Sequence, residues 1–246
     1  MNRISRWQVN RELPVAVSGI DAYRRLSGTT GTQWITLWAA VRLILRHKPK
    51  FILESGTGAS TIALGEAVLE LRRRDPTYEG KIISMESERS WFDLASRIIP
   101  DRYRDCVELV YGPREKYEFA FFRGYVHSNI PKHDYAFVLL DGPAFSDEHG
   151  IACCADIFRA MELSNAPEIR GVVDGRASSV FVLQSLFGVR AAPYYHWRFA
   201  AAFRVPARDI RDSTLNTPRD YNCSITGKLR IVKYRRDPGA TPSDHQ

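Results

Sequence analysis

The chain lacks the features that mark membrane, secreted and metal-stapled proteins. No apolar run is long enough to cross a bilayer; the longest, Trp34 to Leu45, has helical spacing and contains Arg42, which predicts a core helix. The opening MNRISRWQVNRELP is charged and has neither an apolar h-region nor a small-residue cleavage site, so no secretory signal is read there and a cytoplasmic setting is expected. The four cysteines, Cys106, Cys153, Cys154 and Cys223, show no CxxC spacing and no adjacent cluster of histidines. That argues against structural zinc and leaves reduced thiols as the expectation. There is no internal repeat and no low-complexity tract.

What is present suits one α/β domain. The 246 residues are 44% hydrophobic and 26% charged, enough to bury a sizeable core. A net charge of +7 could attract nucleic acid or an anionic small molecule. The basic residues are scattered or sit in short runs such as Arg72-Arg73-Arg74 and Lys233-Tyr234-Arg235-Arg236, the pattern of solvated faces. Residues 1–48 read as a lead-in that packs on a main domain over 49–236, and 237–246 as a frayed tail.

The lead-in is expected to be irregular or partly helical to about residue 30, broken at Pro14, Gly19, Gly28 and Gly31. A helix follows from Trp34, capped by Thr30 or Thr32 and closed by Lys48-Pro49. From there short apolar strands alternate with helices. Strands are predicted at Phe51–Leu53, Lys81–Met85, Val107–Tyr111, Tyr135–Leu140 and Gly171–Val173, and helices at Ala59–Arg74, Trp91–Ile99, Ile151–Leu163 and Ser178–Phe187. This is the pattern of a Rossmann-like, doubly wound, mostly parallel sheet covered on both faces. Two more strand-like runs, Arg198–Val205 and Leu229–Tyr234, would form an antiparallel pair at its C-terminal edge, joined by a long connector over about 206–228.

Open parallel sheets bind ligands beyond the carboxyl ends of their strands, so the residues there carry the functional reading. The first strand ends in Glu54-Ser55-Gly56-Thr57-Gly58-Ala59-Ser60-Thr61. Its glycines allow a tight turn, and the helix behind them presents free N–H groups. A carboxylate at Glu54 would repel a pyrophosphate but suit a ligand bearing an ammonium and a sulfonium, and a dinucleotide fingerprint wants Gly or Ala where Thr61 stands. Both departures point away from NAD and toward S-adenosylmethionine. The second strand delivers Glu86, with Ser87 beside it, where a carboxylate accepts hydrogen bonds from ribose hydroxyls; capping the next helix is the alternative. Gly112 follows the third strand, where such folds contact adenine.

The segment FILESGTGAST resembles motif I of the class I S-adenosylmethionine-dependent methyltransferases, with Ser60-Thr61 similar to a subgroup in which serine replaces the third glycine. VLLDGPAF resembles the motif after the fourth strand in small bacterial members. The resemblance covers most of Lys50 to Phe187. It implies that Glu54 faces the amino end of the cofactor's methionine and that Gly56 and Gly58 line its path. Asp141 would contact the cofactor, position an acceptor or ligate a metal. Asp174 ends the fifth strand and shares its rim with Asp141, a pairing similar to that of magnesium-dependent O-methyltransferases. Gly175 stands where those enzymes carry a further ligand, so no metal site is assigned. His149, in the loop beyond Asp141, is a candidate general base.

The expected activity is methyl transfer to a small-molecule acceptor, with a hydroxyl oxygen as the favoured atom. An RNA methyltransferase, an NAD-dependent oxidoreductase and a non-catalytic binding protein are the alternatives. Oligomeric state is left open.

Overall fold

The computed structural model describes residues 2–29, 31–119, 122–144, 146–147, 150–195 and 200–206. The tail, the strand expected at 229–234 and nearly all of the expected 206–228 connector lie outside these residues.

The lead-in is more ordered than its breakers suggest. It forms two helices, α1 (Asn2–Glu12) and α2 (Pro14–Ser27), before α3 (Trp34–His47). Pro14 occupies the first turn of α2, where its missing N–H costs nothing, and Gly28 closes that helix in the left-handed conformation at φ 70°. Gly19 lies inside α2 because the helix presses against its neighbour: a Cβ there would stand 2.8 Å from Ile62 Cγ2. Breaker residues thus mark helix ends and a close helix crossing. Lys48 ends α3 in the left-handed region, and Thr32 is not its cap, since Gln33 holds that position without a side-chain bond.

The main domain follows the expected alternation: β1 (Phe51–Ser55), α4 (Ala59–Arg74), β2 (Lys81–Glu86), α5 (Arg89–Ile98) and β3 (Val107–Tyr111). An antiparallel hairpin, β4 (Arg114–Phe119) and β5 (Phe122–His127), then stands where a covering helix would complete the alternation. β6 (Tyr135–Leu140) comes next, followed by the short strands β7 (Ser146–Asp147), β8 (Gly150–Ile151) and β9 (Cys153–Cys154). The helix expected from Ile151 starts later, as α6 (Asp156–Leu163), because Cys153 and Cys154 pair with Gly124 and Tyr125 of the hairpin. β10 (Glu168–Asp174), α7 (Ala177–Phe187), β11 (Tyr194–Tyr195) and β12 (Ala200–Pro206) complete the described chain.

Seven strands form the main sheet in the order β11-β12-β10-β6-β1-β2-β3. The neighbours from β10 to β3 pair in parallel, and β12 runs antiparallel to both β10 and β11. Among the described residues the antiparallel pair at this edge is β11 with β12. One apolar cluster joins α1–α4 to one face through residues such as Leu37, Ile52, Ile62 and Ile82. The other joins the hairpin, α6 and α7 to the opposite face through Leu53, Val126, Phe158 and Leu183. Alternate residues of β1, Ile52 and Leu53, fall in different clusters, as the two-residue period of a strand requires.

The sheet is tightest at Gly171, where an added Cβ would lie 2.0 Å from the Val138 carbonyl oxygen and 2.3 Å from Phe203 Cζ. Gly171→Ala is expected to lower stability by more than about 2 kcal/mol, the cost of overpacking against backbone that cannot yield. Urea denaturation measures it, and an unchanged midpoint would contradict this packing.

Candidate functional site

Strand order reverses between β1 and β6, and the crevice opens at their carboxyl ends. Two glycine turns meet there. Gly56 has φ 97°, and a Cβ on it would lie 3.1 Å from Gly142 N; one on Gly142 would lie 2.8 Å from Gly56 Cα. Only glycines allow both backbones to come this close. Gly58 faces the other way: a Cβ there would meet nothing within 4 Å. The result is a cleft of about 250 Å³. Gly56, Gly58, Ser60, Glu86, Ser87 and Asp141 all line it. The lead-in supplies one wall through Tyr23 and Thr32, and α5 adds Trp91.

Glu54 lies beneath this surface, fully buried. Its Oε2 accepts from the hydroxyls of Thr61 at 2.7 Å and Ser84 at 2.6 Å. Thr61 in turn accepts the Gly58 N–H at 3.0 Å, tying the glycine turn to the carboxylate. Oε1 has no hydrogen-bond partner among the described residues. Burial pushes the Glu54 carboxyl up to about 7, against the pull of nearby hydroxyls of Ser60, Ser84 and Thr61. Glu86 is also raised, chiefly by burial, and its Oε1 accepts the Glu88 N–H at 2.9 Å. That bond spans the start of α5, so the local turn uses one oxygen of Glu86 while the side chain still lines the cleft.

Asp141 sits on the rim. Its Oδ2 accepts from Thr32 Oγ1 at 2.6 Å, and Arg176 Nη2 lies 3.8 Å from its Oδ1. Arg176 also donates to the Pro143 carbonyl at 2.9 Å, bracing the turn. Asp174 stands behind, held by the Thr36 hydroxyl and approached by the Gln33 N–H at 3.5 Å. The start of α3 thus supplies donors to both acids. Burial and the neighbouring Asp174 charge raise Asp141 well above the ordinary carboxylate range, and burial raises Asp174. Among the described residues no group of three or more His, Cys, Asp or Glu gathers as a metal site would require.

Gly112 is packed rather than open, with the Ser128 carbonyl oxygen 2.2 Å and Met85 Cε 2.9 Å from where its Cβ would be. His149 lies outside the described residues. Among the described residues no helix is long and apolar enough to cross a membrane.

Sequence reading overlooked a second buried network. Asp156, at the start of α6, accepts the His127 backbone N–H at 2.7 Å and bonds His127 Nδ1 at 2.6 Å. The Ser55 hydroxyl also donates to it. His127 belongs to the cleft lining, and its Nε2 is buried without a partner among the described residues. These residues lie 29 and 101 positions apart, and no local pattern signals their meeting.

No family model matches the chain, and no curated protein matches it. Among solved structures, a methyltransferase from Geobacter sulfurreducens is similar at a TM-score of 0.50 and 13% identity, over 78% of this chain and 89% of that one. A second, from Nostoc punctiforme and provisionally assigned as an O-methyltransferase, gives a TM-score of 0.33 at 16% identity over 55% of this chain and 35% of that one. The first likeness agrees with the strand order: the chain shares a Rossmann-like fold with that methyltransferase.

Proposed function

We propose that the protein is an S-adenosylmethionine-dependent methyltransferase acting on a hydroxyl oxygen of a small-molecule acceptor. The observation that carries this reading is the placement of two acids around one glycine turn: Glu54 beneath it, with an oxygen lacking a donor among the described residues, and Glu86 across the cleft on the next strand. An unpaired carboxylate oxygen suits a cationic amino group, and a carboxylate at the end of the second strand suits a ribose diol. A dinucleotide would bring its pyrophosphate over Glu54, where the charges repel. The open space before Gly58 supplies a cradle for the ligand backbone.

Bound there, S-adenosylmethionine supplies a methyl group already activated by its sulfonium, so the protein has only to align an acceptor and handle its proton. Asp141 is the group placed to take that proton. It is partly exposed on the cleft, oriented by Thr32, and made more basic by burial and by Asp174. Asp174 acts through Asp141, and Arg176 steadies the turn that carries it. Tyr23 and Trp91 both line the cleft, whose volume of about 250 Å³ favours a small acceptor.

Calorimetric titration with S-adenosylmethionine, S-adenosylhomocysteine and NAD tests the cofactor. Binding of the first two and not the third is expected. A folded sample that takes up neither sulfur ligand rules the reading out. Glu86→Ala is expected to weaken adenosylhomocysteine by about tenfold to a hundredfold, the value of charge-assisted hydrogen bonds to the ribose. Unchanged affinity removes the ribose assignment.

A further inference from the structure

We infer that His127 reads the adenine ring, with Asp156 and Ser55 fixing the tautomer that makes it an acceptor. The inference rests on the cofactor reading above and deepens it by assigning what distinguishes adenine from other bases.

The place comes first. The third strand ends at Tyr111, and the hairpin brings His127 back beside that end: the Ser128 N–H donates to the Pro113 carbonyl at 3.0 Å. His127 Cβ lies 3.3 Å from where a Gly112 Cβ would be. Glu86, proposed to hold the ribose, lines the same cleft as His127. Pro143 lines the same cleft. A base attached to a ribose at Glu86 therefore extends toward His127.

The chemistry follows from hydrogen-bond direction. Ser55 Oγ is within donating reach of both the Gly142 carbonyl, to which Cys154 Sγ also donates at 2.5 Å, and Asp156. Asp156 receives the His127 backbone N–H on its other oxygen. A carboxylate accepts and does not donate, so Nδ1 carries the ring hydrogen in the 2.6 Å bond to Asp156. In the neutral ring Nε2 is then an acceptor. The two ring nitrogens point in divergent directions, so Nε2 faces away from Asp156. A buried acceptor without a donor is costly, and a ligand N–H removes that cost. The exocyclic amine of adenine offers such a donor; the oxo group of hypoxanthine offers none at that position.

The test uses S-adenosylhomocysteine and its deaminated counterpart S-inosylhomocysteine in calorimetric titration of the full chain. The wild type is expected to prefer the adenine ligand by about 30-fold or more, since a site built around a ligand N–H discriminates against the analogue lacking it. His127→Ala should bring the ratio to within about threefold of one by deleting the acceptor. His127→Gln can present either an oxygen or an amine and should accept both ligands. Asp156→Asn can donate to Nδ1, turning Nε2 into a donor, and should reverse the preference toward the oxo ligand; a purely structural role for Asp156 would weaken both ligands alike. If Asp156→Asn does not fold, the two His127 variants decide. Wild-type binding with a ratio near one, or a ratio unchanged in folded His127→Ala, overturns the inference alone. Wild-type binding of neither ligand overturns the cofactor reading beneath it.

Discussion

Asp141→Asn is expected to lower turnover by about 10²–10⁴-fold, the contribution of a positioned general base, while adenosylhomocysteine affinity changes by less than about tenfold. An amide of the same shape still accepts the Thr32 hydroxyl at 2.6 Å but cannot take a proton from an acceptor. Asp141 is basic because it is buried and because Asp174 stands near it. The two carboxyls titrate as a pair, so the rate should rise with pH along an ascending limb well above that of an ordinary aspartate. Two variants move this limb in opposite directions. Asp174→Asn removes a negative neighbour, eases ionisation of Asp141 and shifts the limb to lower pH. Thr32→Val removes a hydrogen bond that favours the ionised form and shifts it to higher pH. The pH profile of kcat/KM, with any hydroxyl acceptor the wild type turns over, reads both. Wild-type turnover in Asp141→Asn would show that the proton leaves by another route.

This arrangement depends on the lead-in, which shows what sequence can and cannot reveal. The alternation of apolar strands and helices was legible because the central strands β1, β2 and β6 are buried on both faces, and α4 matches its expected bounds. The acids at the strand ends were legible because a charged residue directly after an apolar strand stands out. Thr32 and Thr36 were not. Thr32 resembles a helix cap in sequence, yet its hydroxyl is used 109 positions away on Asp141, and Thr36 reaches 138 positions to Asp174. The hairpin left a faint local sign, the two-residue spacing of Tyr117 and Phe119 and of Tyr125 and His127. Only Glu118 separates the first pair and Val126 the second, a pattern too short to outweigh the helix that an α/β alternation favours there. The His127–Asp156 pair had no sign at all: one member ends a strand, the other begins a helix, and each is unremarkable in its own setting.

Glu54→Gln is expected to move stability and ligand binding in opposite directions. In the unfolded chain Glu54 titrates near 4.5, and in the folded one near 7. Between those values the folded protein holds a proton that the unfolded chain has released, so stability contributed by this group falls as pH rises, and above about 7 the whole cost of a buried charge is present. Glutamine cannot ionise. Its oxygen can accept the Thr61 and Ser84 hydroxyls while its amine takes the place of Oε1, which has no hydrogen-bond partner among the described residues. At pH 5 the variant and wild type should therefore be close in stability, and at pH 8 the variant should be more stable by on the order of 3 kcal/mol, read from denaturant midpoints at the two pH values. Binding should behave in the contrary way. An ammonium group favours ionised Glu54, so wild-type affinity for adenosylhomocysteine should climb as pH rises toward 7, with proton uptake by the buffer on binding below that pH. The glutamine variant should bind at least about tenfold more weakly and lose that proton release. A variant less stable than wild type at pH 8 would mean that the fold itself already neutralises the charge. Equal affinity would mean that no cation meets Oε1. The two results together separate a carboxylate kept at a cost for a ligand from one that only braces a turn.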